Sequence, residues 1–272
     1  MIKETSYELA KEIPSGSKIA IFKDSSVPMT LGLNMIKSGI TDLEIVTVPT
    51  GGLLVDLLIG SGCVTSVETS GVSLGEAGPA PCFTQAIKNG SITIKDSTCP
   101  AIYAGLQASE KGNPFMPLRG LLGSDILTHR NDIKEIDNPF SPKEKIVCLP
   151  AIKPDFAIFH APLADRDGNI YVGIRQELRL LAHASANTLV TVEKVTNLNL
   201  LSDPKLAPGT IPAFYVGGVA VARGGAKPLN LPHHYDSDFQ QITRYAKLAK
   251  SEEGFSEWIT QNSIENNNAN QK

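Results

Sequence analysis

Short β-branched runs alternate with helical stretches along most of this chain, and that alternation limits its fold more than any other feature. Lys18-Ile19-Ala20-Ile21-Phe22 stops at the turn-rich Lys23-Asp24-Ser25-Ser26, a helical stretch over 28–37 ends at Ser38-Gly39, and Leu43-Glu44-Ile45-Val46-Thr47-Val48 follows, closed by Pro49. Strand, turn, helix, strand is the unit that crosses over to set two strands parallel. The spacing predicts further helices over 53–59, 83–88, 100–111, 177–185 and 236–249. Further strands are predicted over 64–67, 92–95, 145–149, 156–160, 188–193 and 218–221. Asn89-Gly90 and Gly112 serve as helix stops, and Pro100 sits in a first helical turn. Residues 68–81 and 113–142 read as irregular connection. The nearly unbroken apolar run over 188–193 suits a strand covered on both faces.

The expected architecture is therefore α/β: one domain over 1–260 with an open, mostly parallel sheet flanked by helices. Residues 261–272 carry almost no apolar side chains and are expected to form a frayed tail. With 272 residues, 42% of them hydrophobic, the chain can bury a large core. A net charge of −3 lacks the basic excess of a nucleic-acid binder. Four cysteines without a C-x-x-C give neither a disulfide framework nor a zinc site. No apolar run approaches a membrane span, and the first residues lack a signal-peptide core. These features describe a soluble cytoplasmic protein without metal, nucleic acid or membrane.

Candidate chemistry is scattered. Arg119-Gly120-Leu121-Leu122-Gly123-Ser124-Asp125 follows Pro114-Phe115-Met116-Pro117. It combines close backbone approach with a guanidinium fork and short polar arms, or else Arg119 pairs with Asp125 in a tight connection. Ser70 lies in a Gly/Ser-rich loop beyond a predicted strand end, where open α/β sheets bind ligands, although its spacing is not that of a dinucleotide loop. Cys99 stands at a predicted helix start, where thiols become nucleophilic, but a small buried residue is the simpler reading. Asp165 to Asn169 reads as a structural reverse turn. The five histidines show no metal spacing, His160 reads as hydrogen-bonded scaffold, and no Gly-x-Ser-x-Gly elbow occurs.

In order, several segments resemble the A (alpha) subunit of class I coenzyme A transferases, in the glutaconate CoA-transferase-like branch. They are Gly60-Ser61-Gly62-Cys63, the Ser70 loop, Pro114 to Asp125, Pro150 to Ala157, His160 to Asn169, Thr191-Val192-Glu193-Lys194, Gly224-Gly225-Ala226-Lys227-Pro228 and Glu252 to Trp258. The resemblance implies a CoA-transferase (NagB/RpiA-like) α/β fold and a partner chain, the B (beta) subunit. It also implies that a glutamate of that partner attacks the acyl-CoA, so that no catalytic residue is expected in this chain. A coenzyme A thioester and a carboxylic acid are then substrates, with no cofactor bound permanently.

By position, Ser70 matches a serine of the family's substrate-facing loop and Ser97-Thr98-Cys99 a second polar loop. Ser70, Ser97, Cys99, Arg119 and Ser124 are accordingly the candidate substrate-binding residues, Arg119 as a loop organiser. One departure stands out. Relatives commonly carry a Gly-Gly-Phe turn after the first strand, where this chain has Lys23-Asp24-Ser25-Ser26. That departure bears on acid specificity and leaves open one alternative, a catalytically silent assembly subunit. Ring-opening CoA-thioester hydrolases of the same superfamily are the other. They carry a glutamate in the loop where Cys99 stands here.

Overall fold

The computed structural model describes residues 2–269, with side chains through Asn262. In chain order the elements are β1 (Ile2–Lys3), α1 (Ser6–Ala10), β2 (Lys18–Phe22), α2 (Met29–Lys37), β3 (Leu43–Val48), α3 (Leu53–Gly60), β4 (Val64–Thr69), α4 (Pro81–Asn89), β5 (Thr93–Asp96) and α5 (Cys99–Glu110). The middle of the chain gives β6 (Phe115–Leu118), α6 (Ile126–His129), β7 (Lys134–Asn138), β8 (Ser141–Pro150), β9 (Phe156–Asp165) and β10 (Ile170–Tyr171). The last third gives α7 (Gln176–Ala184), β11 (Asn187–Thr196), β12 (Thr210–Ile211), β13 (Gly218–Val221), α8 (Phe239–Leu248) and α9 (Glu252–Ala269).

Among the described residues, eight strands run in the order β1-β13-β11-β9-β2-β3-β4-β5, every neighbouring pair parallel. The hairpin partner β10 and then β12 add antiparallel strands beside β9. The mostly parallel open sheet expected from the alternation is present. Side chains alternate across it, as period-two strands require. Ile19, Ile21, Ile45 and Val67 face a core shared with Leu9, Leu31, Leu54, Leu58, Ala86, Ile242 and Trp258. Ala20, Val46 and Ala157 face the opposite side, against Ile102 and Leu106 of α5 and Leu181 and Ala184 of α7. The two alanines let α5 and α7 lie close to the sheet.

Local chemistry sets the helix ends. Gly90 closes α4 in the left-handed region at φ 67°, Thr98 caps α5 by accepting the Ala101 N–H at 3.4 Å, and Asp238 caps α8 by accepting the Gln241 N–H at 3.0 Å.

Two expectations change. The stretch 113–142 is more than connection: it contributes β6, α6 and β7, and with β8 forms a three-stranded antiparallel sheet of order β6-β8-β7. Pro117 hid β6, because proline is tolerated only where a strand forms an edge, as β6 does. The strand expected over 145–149 belongs to this small sheet and not to the large one. One of its faces packs on α5 through Ala101, Ala104, Val147 and Leu149. At the carboxyl end, α9 continues into the stretch expected to fray, held at its start by Phe255 and Trp258 in the core. Residues 270–272 lie outside the described residues.

Asp56 is a fully buried carboxylate in the otherwise apolar α3. It accepts the N–H groups of Cys82 at 3.3 Å and Phe83 at 2.7 Å, so it caps α4, and the hydroxyl of Tyr245 in α8 at 2.7 Å. Burial raises the Asp56 pKa, and those three donors oppose the rise. Tyr245→Phe takes away one donor and leaves the carboxylate under-satisfied. The expected loss is roughly 1–3 kcal/mol in urea unfolding; an unchanged midpoint would refute this account of the α3–α4–α8 junction.

Candidate active site at the carboxyl rim of the sheet

Because β2, β3, β4, β5, β9, β11 and β13 are parallel, their carboxyl ends share one edge. The strand order also reverses there: β5, β4, β3 and β2 step in one direction from the boundary with β9, and β11, β13 and β1 step in the other. Open α/β sheets form their ligand crevices outside the carboxyl ends, at such a reversal.

On the β3–β5 side, the loops are laced together. Ser70 donates from Oγ to the Pro49 carbonyl at 2.9 Å, and the Gly51 N–H donates to the Gly71 carbonyl at 2.9 Å. Thr47 donates to Thr69 Oγ1 at 2.7 Å, and Thr69 donates to the Gly71 carbonyl at 2.8 Å. Gly51 fits closely: a Cβ there would stand 3.0 Å from Val72 and 3.1 Å from Thr47, so either side chain would have to give way. The product is a firm loop carrying Ser70, whose Oγ lies 3.2 Å from Cys99 Sγ. Since the Ser70 hydrogen goes to Pro49, the thiol is the donor in that contact. Cys99 opens α5 and is exposed, which corrects the expectation that it is buried. Proline follows at the next position and Thr98 spends its side chain on the cap, so nothing folds over the thiol.

At the end of β2 the turn holds Asp24 at φ 67° and Ser26 at φ 57°. Lys23 donates from Nζ to Ser73 Oγ at 3.2 Å. Ser25 accepts from Arg175 Nη1. The Ser26 N–H donates to the Asn230 carbonyl at 3.1 Å, and the His160 N–H donates to the Ser26 carbonyl at 2.7 Å.

Behind that turn lies a hub on Glu193. His160 Nε2 stands 2.8 Å from Glu193 Oε1, and His160 Nδ1 stands 2.8 Å from Thr191 Oγ1. Burial pushes the fully enclosed His160 imidazole down, so it is neutral; Nε2–H then donates to Glu193 and Nδ1 accepts from Thr191. Gly224 donates its N–H to both carboxylate oxygens, at 2.9 and 3.0 Å, and the Tyr235 hydroxyl donates at 2.9 Å. Burial alone would raise the Glu193 pKa. The His160, Gly224 and Tyr235 bonds outweigh it and hold the carboxyl at about 2.

The structure thus brings Ser70 and Cys99 into contact and places Ser97 next to them, its N–H donating to the Thr69 carbonyl at 3.0 Å. The Ser97 side chain is buried at a polar cavity of about 110 Å³ that Glu68, Lys95 and Arg130 also line. There Arg130 pairs with Glu68 at 2.8 Å and donates to the Asp96 carbonyl at 3.0 Å. Arg119 makes no contact with this group. It pairs with Glu144 across the small sheet, not with Asp125, and borders an apolar groove of about 430 Å³ with Phe115 and Phe140. Ser124 accepts the Ile126 N–H at 3.2 Å and so starts α6. Tyr103 and Arg175 escaped sequence reasoning, whereas Lys23 was named in the turn that replaces Gly-Gly-Phe and Glu193 in a segment of the family resemblance.

Comparison with known proteins places these features in context. A family model described as coenzyme A transferase matches residues 3–220. The A subunit of glutaconate CoA-transferase from Acidaminococcus fermentans is 30% identical over 92% of this chain and 85% of its own length. The crystal structure of glutaconate coenzyme A-transferase from that organism matches with a TM-score of 0.88 and 27% identity, covering 96% of this chain and 87% of that one. The cholesterol ring-cleaving hydrolase IpdA subunit of Rhodococcus jostii is 29% identical over 91% of this chain and 87% of its own. A variant of the decarboxylase AibA/AibB matches in structure with a TM-score of 0.85 and 26% identity, over 97% of this chain and 98% of that one.

Two measurements test the geometry. Glu193 has its pKa lowered on folding, so its contribution to stability is present above its ordinary 4.5 and lost as pH falls toward about 2. Urea titrations should show stability falling across that window, and Glu193→Gln should flatten the fall; equal slopes would contradict the hub. For the thiols, burial pushes Cys63 up to about 11 and Cys82 up to about 12. Iodoacetamide near neutral pH should therefore label Cys99 at least tenfold faster than either, mapped by peptide mass spectrometry. Comparable rates would mean that Cys99 is covered.

Proposed function

The chain belongs to the coenzyme A transferase family, and we propose on that premise that it is the A-type subunit of a heteromeric CoA-transferase. It moves coenzyme A between an acyl-CoA and a carboxylic acid, together with a B-type chain that supplies the attacking glutamate. The observation that carries the reading is how the rim's own carboxylates are used. Glu68 is held by Arg130 and Glu193 by His160, Tyr235 and Gly224, whereas the exposed Asp24 only approaches Lys23 at 3.6 Å. Glu177, at the start of α7, is held by Arg175, and Asp96 accepts the Ser97 N–H. A carboxylate nucleophile must reach the acyl carbon unencumbered, and the enclosed acids Glu68 and Glu193 do not.

What this chain supplies is a polar wall. Ser70 and Cys99 line it, and the α5 N-terminus adds backbone N–H groups that favour negative charge. The partner's glutamate oxygen attacks the thioester carbonyl carbon, and coenzyme A leaves as the thiolate, giving a mixed anhydride. That thiolate then attacks the glutamyl carbonyl, releasing the first acid as its carboxylate and leaving an enzyme–CoA thioester. The acceptor carboxylate repeats the sequence in reverse, and the glutamate is regenerated. Ser97 and the Ser70 loop shape the acid side of the cleft, while Arg119 and Ser124 organise the small sheet beside it. Four free cysteines agree with work in the reducing cytoplasm, and no helix among the described residues is long and apolar enough to cross a membrane.

The hydrolase alternative has a relative in its favour, the ring-cleaving IpdA chain, and against it Cys99 in place of the loop glutamate. Fold alone does not choose among transferase, hydrolase and decarboxylase chemistry. Co-expression with the B-type chain, incubation with an acyl-CoA and intact-mass analysis decide it. The expected result is a coenzyme A-sized adduct on the partner's glutamate and transfer to an added acid. Release of free coenzyme A without adduct or acceptor would move the assignment to the hydrolase, and vigorous thioester turnover by this chain alone would refute the shared site.

A further inference from the structure

The two strand ends that carry Ser70 and Cys99 are held unequally. β4 lies between β3 and β5, whereas β5 is the last strand of the large sheet and pairs on one side only. It has four residues, none of them buried, and Ser97-Thr98-Cys99 follow directly from its end. Toward the small sheet these ends meet the polar cavity of about 110 Å³ rather than packed side chains. Hydrogen bonds, more than packing, therefore set the distance between them.

Arg130 supplies such bonds from outside the large sheet. It follows α6, and its side chain is only 8% exposed. Nη2 donates to Glu68 Oε1 in β4 at 2.8 Å, and Nη1 donates to the Asp96 carbonyl in β5 at 3.0 Å. Thr69 and Asp96 are register partners, so the guanidinium spans the pair at its last rungs. Nε and Nη2 also donate to Asp132 Oδ1 and Oδ2, each at 2.8 Å, which fixes the plane of the fork. Four of the five N–H groups are thereby used. Burial works against the charge, and the Asp132 and Glu68 carboxylates outweigh it. Docking the small sheet does not need this arrangement, because Ala101, Ala104, Ile133, Val147 and Leu149 already form an apolar seam between it and α5.

We propose that Arg130 is a positioning residue: by tying Glu68 to the Asp96 backbone it sets the spacing of the β4 and β5 ends, and with it the contact between Ser70 and Cys99. Ser70 stands two positions after Glu68, and Cys99 three after Asp96. A shift at either strand end thus reaches their 3.2 Å contact through a short stretch of hydrogen-bonded backbone. A lysine could neutralise Glu68, but its ammonium lacks the planar fork that joins both strands to Asp132. That the contact serves acyl transfer rests on the proposed function; the clamp itself does not. A misplacement of about 1 Å at a reacting centre costs on the order of 100-fold in rate, which is why spacing here matters.

Iodoacetamide labelling of the full-length protein near neutral pH, read at each cysteine by peptide mass spectrometry, tests the clamp. Arg130→Gln and Arg130→Lys should each free the thiol from Ser70 and speed labelling of Cys99 at least threefold, with Cys63 and Cys82 still slow. Arg130→Lys also serves if Arg130→Gln fails to fold. Val147→Ala loosens the apolar seam instead, and should lower the urea midpoint without changing the Cys99 rate. In the enzyme co-expressed with the B-type chain, Arg130→Gln should lower kcat at least tenfold. KM for the acyl-CoA should stay within about twofold, since so buried a guanidinium acts on the wall rather than on substrate. An unchanged Cys99 rate in both Arg130 variants, equal acceleration of all three cysteines, or the same acceleration in Val147→Ala overturns the clamp. Faster Cys99 labelling with an unchanged kcat overturns the positioning role and leaves the proposed function standing. Arg130-dependent labelling in a wild type that transfers nothing does the reverse.

Discussion

A carboxylate taken out of water has to be met by donors, and the architecture of the rim follows from how Glu193 is met. Its partners come from three separate places: His160 in β9, the Gly224 backbone just past β13, and Tyr235 some residues on. Gathering them fixes the segment after β13 against the sheet. Gly224 takes φ 65° to aim its N–H, and Gly225 lies so near the imidazole that a Cβ would stand 2.8 Å from His160 Nδ1. The Gly-Gly pair in Gly224-Gly225-Ala226-Lys227-Pro228 is thus explained by close approach and a left-handed turn. The order extends further, because the His160 N–H holds Ser26 and the Gly225 carbonyl accepts the Thr30 N–H at 3.0 Å, in the first turn of α2.

Rigidity there matters for what happens at the neighbouring strand ends. An acyl-transfer site needs donors placed before the reaction begins, since reorganising dipoles during it raises the barrier. The β2 turn leans on the Glu193 hub and on Arg175, and the β4 loop leans on Pro49 and Gly71. Both present polar side chains on backbone tied down by hydrogen bonds, Ser26 to Asn230 in one and Ser70 to Pro49 in the other. Buried carboxylates elsewhere follow the same rule, as Asp165 does by accepting the N–H groups of Asp167 and Asn169 at 3.0 and 2.9 Å and of Leu200 at 3.0 Å. The chain spends these enclosed acids on building, which agrees with the proposed reading in which a partner chain makes the attack.

Sequence reading found the sheet because its cues are local. β2, β3 and β13 announce themselves by apolar and β-branched runs and by what ends them, a polar turn after β2, Pro49 after β3 and Gly224-Gly225 past β13, and Ser70 and Cys99 could be named because both sit just past strand ends. The small sheet was not legible: β6 holds a proline, and β7 is Lys-Glu-Ile-Asp-Asn, whose exposed polar face carries no period against noise. Arg119, named as a loop organiser for its glycine neighbours, lies on the small sheet and pairs there with Glu144. Arg175 was invisible. Its partner Ser25 lies 150 positions earlier, and nothing in Gly173-Ile174-Arg175-Gln176-Glu177 announces a contact at that range.

The Lys23-Asp24-Ser25-Ser26 turn shows how a loop can keep a shape while changing its surface. Where relatives commonly carry Gly-Gly-Phe, this chain places Asp24 and Ser26 in the left-handed region that glycine occupies freely, at a cost on the order of 1–2 kcal/mol each. The Ser26 backbone bonds and the Arg175–Ser25 contact offset that strain. Two positions of the turn thus take the left-handed conformation without glycine, and the turn displays a lysine, an aspartate and a hydroxyl. Departure from the family turn is thus better read as a change in what the crevice recognises than as a collapse of the crevice. Arg175 bonds Ser25, between the two left-handed residues Asp24 and Ser26, and so ties the turn to the start of α7.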